Sequence, residues 1–120
     1  MTNMGNSKTI SLNVTSKRAR ARGEMVVAAP VAALPPAVER AAFQLPRMTV
    51  TGIWADRAEM SAATNWKTFG ANIVLTFEPL DAGNTRVLAT STPQVPTTLI
   101  DYGQGKSDVT DVLQAVAAQL

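Results

Sequence analysis

Cysteine and histidine are both absent from this chain of 120 residues. Without cysteine there is no disulfide framework, no thiol nucleophile and no thiolate ligand for a metal. Without histidine the commonest general base and the commonest zinc ligand are missing. Catalysis would fall to carboxylates, lysine, tyrosine, serine or threonine, and the expectation is a protein that is not an enzyme, with no cofactor and no metal. Aromatic residues make up only 5%, so the core must be built from Val, Leu, Ile, Ala and Met. Long apolar runs are lacking as well, none reaching the roughly 18–20 residues that a membrane-spanning helix needs. Lys17 to Arg22 followed by Met25 to Leu34 imitates a secretory leader, but Glu24 at the junction and the prolines at 30, 35 and 36 break that pattern. A cytoplasmic setting is expected.

What remains is enough for one core. The length suits a single domain, with residues 1–7 a frayed polar terminus and 8–120 the folded unit. The net charge of +2 hides an asymmetry. Residues 1–24 hold five basic side chains against Glu24, whereas residues 25–120 hold six basic and eight acidic ones. Lys17, Arg18, Arg20 and Arg22 form a local basic cluster that suits phosphate neutralisation. No aromatic precedes Phe43 to stack on bases, so nucleic acid is not the expected partner. The plainer reading is an edge strand whose charges block edge-to-edge pairing.

Periodicity supplies the element order. Ile10, Leu12 and Val14 alternate with polar residues as in a half-buried strand. A second strand ends at Pro30, with the basic stretch either a connection or its extension. Leu34, Val38, Ala41, Ala42 and Leu45 form one apolar stripe, predicting a helix that starts near Leu34–Pro35 and stops before Pro46. Strands follow from Met48 to Trp54 and from Glu59 to Thr64, the latter weakly alternating. Ile73 to Glu78 and Thr85 to Thr92 make a hairpin about Asp81-Ala82-Gly83-Asn84, where Gly83 and Asn84 tolerate positive φ. Val109, Val112, Leu113, Val116, Ala117 and Leu120 mark a final amphipathic helix. Ser107 reads as its N-cap, with Asp108 and Asp111 in the first turn where the helix dipole favours negative charge. The order β-β-α-β-β-β-β-α predicts an α+β two-layer sandwich, a mostly antiparallel sheet with both helices on one face.

Two constellations are candidates for a site. Gly103, Gly105, Lys106 and Ser107 resemble the tail of a phosphate loop, but Ile100 stands where the required earlier glycine belongs. The plain alternative is a sharp turn into a capped helix. Trp54, Trp66, Phe69 and Tyr102 are most of the six aromatics; converging at one end of the sheet, they would line an apolar surface for a ligand or partner. Ordinary core packing is the competing role. The carboxylate pairs Asp56/Glu59 and Asp108/Asp111 are close only in sequence, so no catalytic residue is assigned.

The run Thr64-Asn65-Trp66-Lys67-Thr68-Phe69-Gly70, the strand Ile73 to Phe77, Thr85-Arg86-Val87 and the Asp101-Tyr102-Gly103 turn before the last helix resemble a group of small uncharacterised bacterial domains. That likeness implies no activity. More loosely, Val26-Val27-Ala28-Ala29-Pro30 before a helix, antiparallel strands and a terminal helix are similar to the helix-grip (START-like) layout, which implies an apolar ligand held between sheet and helix. The chain departs from that layout in its single short first helix and its few aromatics. The leading expectation is a non-catalytic module that binds a partner protein or assembles with itself through its sheet face or edge; the alternative is a small helix-grip binder of an apolar ligand.

Overall fold

Alternation with a period of two dominates the chain, and it folds into one antiparallel sheet. The computed structural model describes residues 13–17, 20–63, 70–94 and 104–120. Strands β1 (Asn13–Lys17) and β2 (Arg20–Val27) lead to helix α1 (Leu34–Ala41), which is flanked by 3-10 turns at Val31–Ala33 and Ala42–Gln44. Strands β3 (Met48–Ile53), β4 (Arg57–Ala62), β5 (Ala71–Asp81) and β6 (Asn84–Pro93) follow, then helix α2 (Gln104–Ala118). The sheet order is β1-β2-β6-β5-β4-β3, every neighbour antiparallel. The predicted class, order and layering are those observed.

One sheet face makes the core. Register aligns Ala21 with Ser91 and Ile73, Gly23 with Ala89 and Leu75, and Met25 with Val87 and Phe77. On β4 the core side is Ala58, Met60 and Ala62, all buried. Helix α2 lays Val109, Val112, Leu113 and Val116 on this face, and α1 adds Leu34, Ala37, Val38 and Ala41. Small side chains let α2 sit close: a Cβ on Gly23 would come within 2.7 Å of Val109 and 3.1 Å of Leu113. Arg40 donates to the carbonyl of Gln119 at 2.9 Å, where a cation also complements the negative end of the helix dipole.

Two local expectations change. The β5–β6 hairpin forms, yet among the described glycines only Gly70 has positive φ, at 96°. The turn is fixed instead by Asp81, whose carboxylate accepts from Gly83 N and from Asn84 Nδ2, both at 2.9 Å. Those bonds, Asn84 first, hold the Asp81 carboxyl below its ordinary pKa. The basic stretch divides: Arg20 and Arg22 lie on β2, an interior strand paired by β1 and β6, whereas Lys17 ends β1, the outermost strand, and Arg18 lies outside the described residues. The edge-strand reading therefore fails for Arg20 and Arg22.

Candidate functional site

Helix α2 begins at Gln104, three residues before the predicted cap, and this rearranges the predicted anion site. Ser107 is already helical and so does not cap α2. Gly105 is buried inside the first turn, while Lys106 and Ser107 are exposed on the helix surface; Gly103 lies outside the described residues. The physical reason sits one turn further on. Gln104 Nε2 donates to Asp108 Oδ1 at 2.6 Å, an i,i+4 link that orders the first turn.

Asp108 does not answer the dipole as predicted. Its side chain is 1% exposed and accepts from Arg47 Nη1 at 2.9 Å. Arg47 Nη2 also donates to the Ala63 carbonyl at 2.6 Å. One guanidinium thus ties the start of β3 and the end of β4 to α2. Two atoms of this node, Arg47 Nε and Asp108 Oδ2, are buried without a hydrogen-bond partner among the described residues.

Beside the node runs a groove of about 350 Å³, lined by Gln44, Leu45, Pro46, Arg47 and Met48 on one wall and Asp111, Gln114 and Ala115 of α2 on the other. Partial burial, then the charge of Asp108, push the Asp111 carboxyl above its ordinary pKa, while Arg47 pulls it down. A raised carboxyl means the folded protein binds that proton more readily than the unfolded chain, so the ionised form is a handicap at neutral pH. Asp111→Asn is expected to raise the melting midpoint at pH 7. The gain should shrink as pH falls through the carboxylate range, as measured by thermal melts across pH.

One residue before Gln44 in the chain stands Phe43, 85% exposed and the most exposed large apolar side chain among the described residues. It closes the 3-10 turn after α1 on the side opposite the apolar stripe. Sequence reasoning passed over it, although at about 100° per residue Phe43 falls with Glu39 and Arg40 rather than with Leu34 and Val38.

Of the predicted aromatic surface, only Trp54 lies within the described residues; Trp66, Phe69 and Tyr102 do not. Trp54 is 45% exposed and is engaged locally. Its ring lies over Gly52, where a Cβ would be only 2.3 Å from the indole, and the Arg57 guanidinium sits 4.6 Å from the ring centroid. This explains the glycine in a strand rich in β-branched residues. Trp54 stands at the β3–β4 turn, a strand's length from the opposite sheet end, where Ala62, Ala71 and Pro93 align.

No described helix is long and apolar enough to cross a membrane. No family model and no curated protein matches the chain. Solved structures do. A protein from Arthrobacter aurescens aligns over 89% of this chain and 90% of its own, with a TM-score of 0.64 and 13% identity. CalU16 from Micromonospora echinospora aligns over 94% of this chain and 87% of its own, with a TM-score of 0.53 and 11% identity. A conserved protein of unknown function from Enterococcus faecalis aligns over 88% of this chain and 74% of its own, with a TM-score of 0.52 and 7% identity. At these identities what is shared is the fold.

Proposed function

We propose that this domain is a non-catalytic self-assembling module, pairing with a second copy at the corner formed by Phe43 to Met48 and α2. The observation that carries this reading is a knob beside a hole. Phe43 is 85% exposed, and the adjoining groove of about 350 Å³ has Leu45, Pro46, Met48 and Ala115 in its walls. A protein cavity of about 150 Å³ admits benzene, so the groove has room for a phenyl ring. Phe43 directly precedes Gln44 of the groove in the chain, and a two-fold axis at this corner is what would seat each Phe43 in its partner's groove. Gln44, Gln114 and Asp111 supply a polar rim. A cytoplasmic setting belongs to the same proposal.

The contact is made twice, so its loss counts twice. With about 2 kcal/mol for each buried aromatic anchor, Phe43→Ser should weaken association by roughly a thousandfold. Sedimentation should give twice 12.7 kDa for the natural chain and the single mass for Phe43→Ser. Ala115→Trp, which fills the groove from α2, should also give the single mass. A natural chain that sediments at the single mass at all concentrations would overturn the reading.

A second reading, the helix-grip binder of an apolar ligand, is favoured by the layout of a long terminal helix laid along an antiparallel sheet. Small side chains at one end of the core face support it, namely Ala21, Ala62, Ala71 and Ser91, the last with a buried and unpartnered Oγ. The close contact of Gly23 with Val109 and Leu113 speaks against space at that level of α2. Native mass spectrometry separates the readings: a bound apolar molecule supports the second, and a bare chain mass counts against it.

A further inference from the structure

We propose that the outer face of the sheet carries a site for a phosphate group, held between Arg20 and Arg22. On the face away from the helices the other charged side chains that are described are ion-paired. Arg86 sits 2.9 Å from Glu78 and 3.7 Å from Glu24, and Arg57 sits 3.4 Å from Glu59. Arg20 and Arg22 are the exception. Both are exposed, and among the described residues neither has a carboxylate within ion-pair distance.

Their place in the fold removes the ordinary explanation. Charges of one sign on an edge strand keep other strands away, but β2 lies between β1 and β6 and has no free edge to guard. Two like charges two residues apart on one face repel each other, and Glu24, the next residue on that face, is engaged by Arg86 at 3.7 Å.

The surroundings suit a tetrahedral oxyanion. Register sets Arg22 directly between Thr15 of β1 and Thr90 of β6, and Thr92 follows on the same face of β6. These side chains border a shallow cleft of about 490 Å³. Its remaining lining residues, Ala21 and Ser91, point their side chains into the core, so their main chain forms the floor. Successive same-face positions on a strand are about 7 Å apart, which lets two guanidinium groups grip one phosphate from opposite sides. Guanidinium forks match phosphate oxygens in bidentate fashion, and the threonine hydroxyls donate to the oxygens left over. Among the described residues lining the cleft there is no aromatic on which a base could stack, which favours a phosphate monoester over a nucleic acid strand.

The test is a titration followed by amide and arginine side-chain chemical shifts at fixed ionic strength. The probes are inorganic phosphate, glycerol phosphate, chloride and a single-stranded oligonucleotide. The site predicts saturable shifts at Arg20, Arg22, Thr90 and Thr92 with phosphate or glycerol phosphate and none with chloride. A response to glycerol phosphate stronger than that to phosphate identifies an organic monoester, and the reverse identifies the free ion; either supports the site. Arg22→Gln should weaken binding at least about tenfold, whereas Arg86→Gln, on the same face but already ion-paired, should leave it unchanged. Equal shifts with chloride, indifference to Arg22→Gln, or binding of the oligonucleotide alone would overturn it. Arg22 is exposed and Arg86 half-buried on the outer face, away from the core, so the variants should fold as the natural chain does.

Discussion

Arg47→Ala is expected to destabilise the domain by about 3 kcal/mol, because it strands a buried charge. Asp108 is 1% exposed and, among the described residues, would keep only the Gln104 amide as a donor. Its Oδ2 has no partner even with Arg47 in place. Removing one member of a buried pair commonly costs about 3–5 kcal/mol; the low end applies here because the Arg47 side chain is 31% exposed and water can follow it in. The same substitution frees the Ala63 carbonyl from Arg47 Nη2, loosening the end of β4. Asp111 also loses the positive charge that restrains its pKa, so its carboxyl should titrate higher still. The double variant Arg47→Met with Asp108→Leu should recover most of the loss, since an apolar pair in place of a buried ion pair is often neutral. Urea unfolding of the three variants measures this. A single-variant loss below about 1 kcal/mol, the value for exposed pairs, would show that the node is effectively solvated.

The second large effect is expected at Gly23. An added Cβ would meet Val109 at 2.7 Å, Val14 at 3.0 Å and Leu113 at 3.1 Å. Three side chains from β1 and α2 converge on that point, and Val109 is β-branched, so it has little rotamer freedom with which to withdraw. Overpacking of this kind costs about 1–3 kcal/mol. Replacing glycine returns about 0.4–1 kcal/mol by narrowing the unfolded ensemble. Gly23→Ala should therefore lose about 1–2 kcal/mol net. Gly23→Val, with two further methyl groups, should lift α2 from the sheet and lose more. Denaturant midpoints give the first number, and near-ultraviolet circular dichroism reports the second. If Gly23→Val is as stable as the natural chain, α2 does not pack as described.

These two positions show what the sequence carried and what it did not. The α1 stripe of Leu34, Val38 and Ala41, the alternation through Ile73 to Phe77 and the Val109 to Val116 periodicity are local, and all three appear where the pattern places them. The Arg47–Asp108 bond joins residues 61 apart in the chain. No local period announces such a pairing, so Asp108 read as a dipole partner and Arg47 carried no signal. Helix α2 starts early for the same reason, since Gln104 matters only once Asp108 is buried. The basic stretch was visible, but an edge cannot be told from an interior strand until sheet order is known. The Phe43 corner was legible in principle: an aromatic off the apolar face is a local signal. The groove beside it was not, because its walls come from α2 and from the chain before β3.

The most direct test of self-assembly is an isotope-filtered NOE spectrum of an equal mixture of ¹³C-labelled and unlabelled chains. Reciprocal docking predicts cross-peaks between the ring protons of Phe43 in one copy and the methyl groups of Ala115 and Met48 in the other, lost together in Phe43→Ser. A dimeric mass without those cross-peaks, or a Phe43 ring that contacts only solvent, would contradict it.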